Sequence, residues 1–355
     1  MLFGREDLHM STPVFWKGDL SDVEDTIKMI RRGKAALLCR SAGGRSIYLV
    51  EYGNRNHLHH QANYSSATGA KDPKCYADKT KPDYIPTVLL VGAVHGGEFE
   101  GTVAILNLIN LLETGKDLAG NENDDMRKAI ENINLLLIPC LNVDGRARVP
   151  FDAFLGKDYE TFRHYSQGTW KDGSLCEWPD CKAKHPIREH TDFLGSYFND
   201  DGVNFMHDNF FFPMAEETKS LLKLCDERVP DISIHLHGGS NTTSCFLQTS
   251  YVPDYLNHRI YELARRVKDA ADRKGCGNLY QVCAERPDNG AYPPQSFNLV
   301  SACSHINGEV CITYESNQGL DMDNRYTPEE IYKIIMILFE EACRYAKDLV
   351  KNKER

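Results

Sequence analysis

The stretch Thr87-Val-Leu-Leu-Val-Gly-Ala-Val-His-Gly-Gly-Glu98 constrains the fold more than any other part of the chain. Thr87 to Ala93 is a continuous apolar run of strand length, rich in β-branched residues, which is the pattern of a strand covered on both faces. It runs directly into His95-Gly-Gly-Glu98. Gly101 to Leu112 then predicts a helix, with Val103, Ala104, Ile105, Leu108, Ile109 and Leu112 apolar and Gly115 just past its end. A strand that stops at a glycine turn with His and Glu three apart sets both side chains beside one point. A neutral imidazole and a carboxylate suit zinc, and two histidines, a glutamate and one open water position make a hydrolytic zinc site. H-x-x-E alone fits a surface loop equally well. The strand, glycines and helix around it are what favour a metal.

The chain has 355 residues, enough for a large core, and 41% hydrophobic with 26% charged residues is ordinary for a globular enzyme. A formal net charge of -10 leaves no basic footprint for nucleic acid. No apolar run reaches about 18 residues, so no membrane span is expected. Met1-Leu-Phe-Gly-Arg-Glu-Asp7 lacks the pattern of a signal peptide. Cys140, Cys225 and Cys311 lie in apolar contexts and read as buried thiols. Free thiols point to a reducing compartment, so the expected location is the cytoplasm. Cys176 and Cys181, with His185 nearby, lack C-x-x-C spacing and a fourth ligand, and are not assigned as a metal site.

Helices are expected over Asp19 to Arg32, Ala215 to Arg228 and Tyr255 to Lys274. A last helix opens at the capping box Thr327-Pro-Glu-Glu330 and runs through Val350. Strands are expected over Lys34 to Leu38 and Ser46 to Tyr52, joined by the turn Ser41-Ala-Gly-Gly-Arg45. Three more end at polar residues: Ile133 to Pro139 before Leu141-Asn-Val-Asp-Gly-Arg146, Asp231 to Leu236 before His237, and Val310 to Tyr314 before Glu315. Asn54 to Asp83 and Glu113 to Asp125 read as polar connections. Phe151 to Asp200 reads as an irregular, elaborated loop near the active site. There is no repeat and no linker. The expected architecture is one α/β domain over 1–355, a mixed, mostly parallel sheet with helices on both faces and a loop insertion at about 151–200.

Four strand ends thus carry polar side chains: His95/Glu98, Asn142 to Arg146, His235/His237 and Glu315. In open α/β sheets, sites form at the carboxyl ends of strands. Arg40-Ser-Ala-Gly-Gly-Arg-Ser-Ile-Tyr-Leu-Val-Glu-Tyr-Gly53, His95-Gly-Gly-Glu98, Pro139-Cys-Leu-Asn-Val-Asp-Gly145, Gly202-Val-Asn204, His235-Leu-His-Gly238 and Thr313-Tyr-Glu315 follow one another in order. That ordered set resembles the zinc metallocarboxypeptidases of the carboxypeptidase A and B type, over roughly residues 36–350. The resemblance implies one zinc ion per chain, held by His95, Glu98 and His237, the His₂Glu set known from carboxypeptidase A. His235, two residues earlier on the same strand face, is the rival third ligand. Glu315 would be the general base acting on metal-activated water.

The sequence also departs from that pattern. Where the family carries Asn-Arg to hold the substrate's terminal carboxylate, this chain has Met206-His207, and Asn204 takes the place of an Asp that steadies the first histidine. Imidazole cannot form the two-pronged bond that arginine makes with a carboxylate. Arg188 fits the spacing of an oxyanion-stabilising arginine, with Arg146, Arg148 and Arg163 as competitors. Arg188 and Arg163 are also the leading candidates to replace the missing clamp. Tyr292, in Asn289-Gly-Ala-Tyr-Pro-Pro294, falls where the family has a substrate-capping tyrosine. The implied activity is hydrolysis of a peptide or amide bond next to a free carboxylate, with His207, Tyr292 and Arg163 among the substrate contacts. The alternatives are an amidase or deacylase acting on acyl-amino acids or cell-wall-like peptides, and a zinc-binding protein without catalysis. No nucleic-acid or membrane partner is expected.

Overall fold

The computed structural model describes residues 12–58, 60–282, 290 and 292–351. The amino-terminal Met1 to Asp7 and Asn289 lie outside them. In chain order the strands are β1 (Lys34–Arg40), β2 (Ser46–Tyr52), β3 (Thr87–Val91), β4 (Asn134–Ile138), β5 (Gly168–Trp170), β6 (Thr191–Leu194), β7 (Ile232–Gly238), β8 (Cys245–Leu247) and β9 (Val310–Ser316). The helices are α1 (Leu20–Met29), α2 (Tyr64–Gly69), α3 (Glu100–Thr114), α4 (Asp124–Ile130), α5 (Val143–Ala147), α6 (Tyr159–Gln167), α7 (Glu216–Arg228), α8 (Asp254–Arg273), α9 (Leu299–Asn307) and α10 (Pro328–Lys351).

Seven strands form one sheet in the order β1-β2-β4-β3-β7-β9-β8. The central four, β4-β3-β7-β9, are parallel. β2 joins β4 antiparallel, β1 joins β2, and β8 closes the far edge antiparallel to β9. Every residue of β3, β4 and β7 is buried. β3 and β4 are apolar after their first residue, as strands covered on both sides require, whereas β7 alternates Ile232, Ile234 and Leu236 with Ser233, His235 and His237. The two faces can be told apart on β7. Leu236 packs against Gly101 of α3, whereas Ser233 and His235 meet Glu309 and Cys311. Helices α3, α4, α8 and α10 pack together, and α7 packs with α9. The expected mixed, mostly parallel α/β sheet is therefore present. None of the described helices is long and apolar enough to cross a membrane.

Local chemistry sets the ends of these elements. Gly115 stops α3 in the left-handed conformation, φ 87°, which is cheap only for glycine. At the start of α10 the Thr327 backbone N–H donates to Glu330 (2.9 Å) and the Glu330 N–H to the Thr327 hydroxyl (3.2 Å), the expected capping box.

Three departures from the sequence expectation bear on the site. The segment 151–200 is not without regular structure: it contains α6, capped by Asp158, and the separate antiparallel pair β5–β6. Helix α2 lies within the polar connection 54–83, and α4 starts at the end of 113–125 and runs on to Ile130; each is capped by an asparagine side chain. Helix α9 and the three-residue β8 were not expected. Asn298 and Ser301 cap α9 reciprocally, and that pairing is its one sequence signal.

Candidate metal and substrate site

Strands β3, β7 and β9 are neighbours and run parallel, so their carboxyl ends open on the same edge of the sheet. His95 and Glu98 lie on the turn between β3 and α3. A Cβ at Gly96 would sit 2.1 Å from the Arg146 backbone nitrogen, so only glycine lets this turn press against α5. His237 ends β7 and pairs across the ladder with Glu315 of β9.

The turn and the strand bring three donors together. His95 Nδ1 lies 2.9 Å from Glu98 Oε1, His237 Nδ1 lies 2.9 Å from Glu98 Oε2, and the two imidazole nitrogens are 3.3 Å apart. Two nitrogen lone pairs facing at that distance repel unless a cation or a proton stands between them. Donors around a tetrahedral zinc with bonds of about 2.0–2.1 Å are themselves roughly 3.3–3.4 Å apart, so this spacing fits the ion. The tautomer of His95 fits it too. Asn204 Oδ1 accepts from the Met206 backbone N–H at 3.0 Å, which fixes the amide's orientation. The same oxygen lies 3.2 Å from His95 Nε2, so Nε2 carries the hydrogen and Nδ1 turns its lone pair to the donor cluster. His237 takes the third position, while His235 lies deeper, 3.7 Å from the Cys311 sulfur.

Electrostatics keep the cluster ready for a cation. Burial alone would raise Glu98, but His95 and His237 outweigh it and hold the carboxyl at about 2. Burial opposes charge on His237, and the Glu98 carboxylate overcomes it and raises that imidazole. Burial lifts Glu315 to about 7, with His237 opposing and Glu98 adding to the rise.

All four residues open into a cleft of about 620 Å³. Tyr197 stacks on His95 with ring centroids 4.2 Å apart and planes 19° off parallel. His207 lines the wall. Burial first, then the nearby charges of Lys182, His95, His185 and His237, lower it to about 3, so it is neutral near pH 7.

The other expected contributors are not what the structure brings to the cleft. Arg188 is an exposed residue of a single 3₁₀ turn, Arg188–His190. Arg163 pairs with Glu177 at 2.9 Å. Arg146 is buried, donating to the carbonyls of Gly18 and Val149 and pairing with Asp19, and Arg148 pairs with Asp200. Tyr292 is 95% exposed. None of these five lines the cleft. Among the described residues Lys182 is the one lysine or arginine that does, its ammonium 4.5 Å from the centre of the Trp178 ring. Lys182 and Tyr197 escaped sequence reasoning because both lie in the segment read as loop. The one available signal is Trp178 four residues before Lys182. Cys176 and Cys181 pack with Ile187 and Phe198 in a small apolar cluster, and the His185 Nε2 accepts from the Asn204 N–H, so these three do not converge on a metal.

Comparison with solved structures finds the same fold in several proteins. A metallo-carboxypeptidase from Burkholderia cenocepacia superposes with a TM-score of 0.57 at 13% identity, over 93% of this chain and 68% of that one. Carboxypeptidase A from Helicoverpa armigera gives 0.56 at 13% identity, over 98% and 78%. Bovine thrombin-activatable fibrinolysis inhibitor, in complex with tick carboxypeptidase inhibitor, gives 0.56 at 12% identity, over 96% and 100%. At such identities these likenesses show the fold. Comparison with curated proteins finds no match. The family model for zinc carboxypeptidases matches residues 34–293, from β1 to just past Tyr292, and on that match the chain belongs to the zinc carboxypeptidase family, a divergent member and a zinc hydrolase.

Proposed function

We propose that this protein hydrolyses the amide bond next to a free carboxylate in a peptide or acyl-amino acid, with His95, Glu98 and His237 holding one zinc ion and Glu315 acting as general base. The observation that carries the reading is the cleft itself. Three converging donors, one carboxyl poised near neutrality and one cationic side chain share it.

Zinc bound there supplies Lewis acidity towards the scissile carbonyl and the attacking water. The chain's own residues do the rest. Glu315 is held beside His237 by the β7–β9 ladder, so its carboxylate faces the same point as the donors. A base that titrates near the working pH can take the water's proton and return it to the departing amine. Asn204 and Tyr197 fix the ring of His95 from its edge and its face. Neutral His207 offers a hydrogen bond but no charge. The ammonium of Lys182 therefore receives the substrate's carboxylate, in place of an arginine fork. We also read the chain as one domain carrying 151–200 as an insertion, and its buried free thiols as suiting the cytoplasm.

The test is a panel of dansylated peptides in matched free-acid and C-terminally amidated forms, assayed with zinc content measured on the same preparation. Cleavage that requires zinc and prefers free acids supports the reading. Equal cleavage of both forms moves the protein to the amidase reading, and zinc binding without turnover of any substrate refutes hydrolysis.

A further inference from the structure

Beneath the first site, on the same face of β7, runs a second column of donors. His235, Cys303 and Cys311 have ligand atoms all within 4.8 Å of one another, and Cys225, Cys303 and Glu309 form an overlapping group within the same limit. All are buried. His235 lies on β7, Cys225 on α7, Cys303 on α9 and Cys311 on β9, with Glu309 just before β9. The contact between His235 Nε2 and the Cys311 sulfur is 3.7 Å, and the other ring nitrogen of His235 has no hydrogen-bond partner. One oxygen of Glu309 is likewise unpartnered, while the other meets the Ser233 hydroxyl. A buried imidazole and a buried carboxyl are seldom left so incompletely satisfied.

We infer that His235, Cys303 and Cys311 form a second metal site, for a thiophilic ion of zinc's class. Sulfur and imidazole are the ligands such ions select. Binding a divalent ion releases one proton from each of Cys303 and Cys311 to solvent, so two thiolates and a neutral imidazole leave the buried cluster uncharged. Access is from the amino-terminal edge of the sheet, away from the catalytic cleft. There a second cavity, of about 300 Å³, is lined by Asn307, Glu309 and Val310 beside Lys79 and Asp231. Asn307 braces this end, donating to the Cys225 carbonyl (2.9 Å) and accepting from the Glu309 N–H (2.8 Å). Glu309 lines this cavity and also belongs to the donor column, so it stands where an incoming cation would first be received.

The two sites differ in one readable respect: the His95–Glu98–His237 cluster contains no sulfur. Protein purified under reducing conditions and equilibrated with cobalt(II) should take up about two ions per chain and show a thiolate-to-cobalt charge-transfer band in the near ultraviolet. Cys311→Ser and, independently, Cys303→Ala should each lower the content to about one ion per chain and abolish the band. Cys343→Ser, a buried thiol away from the column, should leave both unchanged. A parent protein that binds one ion per chain and shows no such band overturns the inference, and it does so with no variant required. Neither result depends on whether peptides are hydrolysed.

Discussion

Replacing Lys182 by alanine tests the least expected part of the substrate site. Lys182 is the one cationic side chain lining the cleft among the described residues, and it lies at the rim, exposed, against the Trp178 ring. A fully exposed ion pair is worth about 0.2–1 kcal/mol, and a hydrogen bond to a charged group in a shielded site about 1.5–3 kcal/mol. A rim position between the two limits gives about 1–2 kcal/mol of transition-state binding, or roughly 5- to 30-fold in kcat/KM. Lys182→Ala should lose that factor on free-acid peptides and almost nothing on their amidated counterparts. The parent's preference for free acids should therefore shrink by the same factor, and the preference should weaken with salt as the rim charge is screened. Arg188→Ala and Arg163→Ala, whose side chains do not line the cleft, should leave the preference intact. If Lys182→Ala slows both substrate forms equally, or if Arg188→Ala erases the discrimination, carboxylate recognition by Lys182 is wrong.

Other outcomes follow from the same geometry. Glu315→Gln should retain zinc and fold while lowering kcat by on the order of 10² or more, and turnover within a few-fold of the parent would remove the base assignment. His237→Ala should cost the enzyme its catalytic zinc and its hydrolytic activity together, measured as metal content and kcat on one preparation. Asn204→Ala, which takes the acceptor from His95 Nε2, should weaken zinc affinity by about 10- to 100-fold, read by competition with a chelator. Burial lifts Glu100 to about 8, so it is protonated in the fold while the unfolded chain ionises it near 4.5. Its contribution to stability is thus complete below about pH 4.5 and is lost as the pH rises through about 8. Glu100→Gln should match the parent's melting temperature at about pH 5 and exceed it at about pH 8, and a gap independent of pH would refute that account.

The legible parts of this protein were those in which short-range pattern and tertiary role coincide. β3 and its turn announced themselves because a doubly covered strand must be apolar throughout and His95-Gly-Gly-Glu98 interrupts it sharply. His237 and Glu315 could be read from the ends of two further buried strands, although β7 carries Ser233 and His235 among its apolar residues. The contact of Asn204 with His95 was foreseeable because an amide oxygen can replace a carboxylate as acceptor. The remainder was hidden by context. Helix α4 is seven residues long, and its Asn123 cap is a signal that turns share. Lys182, Trp178 and Tyr197 reach the cleft through the folding of segment 151–200, where no periodicity reports which side chains converge. The same cause misled the reading of Arg188 and Arg163. Spacing along the chain placed them near the site, while the fold gave Arg163 an acidic partner and turned Arg188 to solvent.

The pairing of His237 with Glu315 across β7 and β9 reaches beyond this one enzyme. Two neighbouring rungs of a parallel ladder cannot slip relative to each other without breaking every hydrogen bond above and below them. His237 and Glu315 are therefore held as firmly as the sheet itself, whereas Lys182 and Trp178 lie on the connection between β5 and β6. A library that randomises 171–184, sparing the His185 contact with Asn204, should yield enzymes with altered substrate preference and retained metal binding, which makes this scaffold a practical chassis for directed evolution.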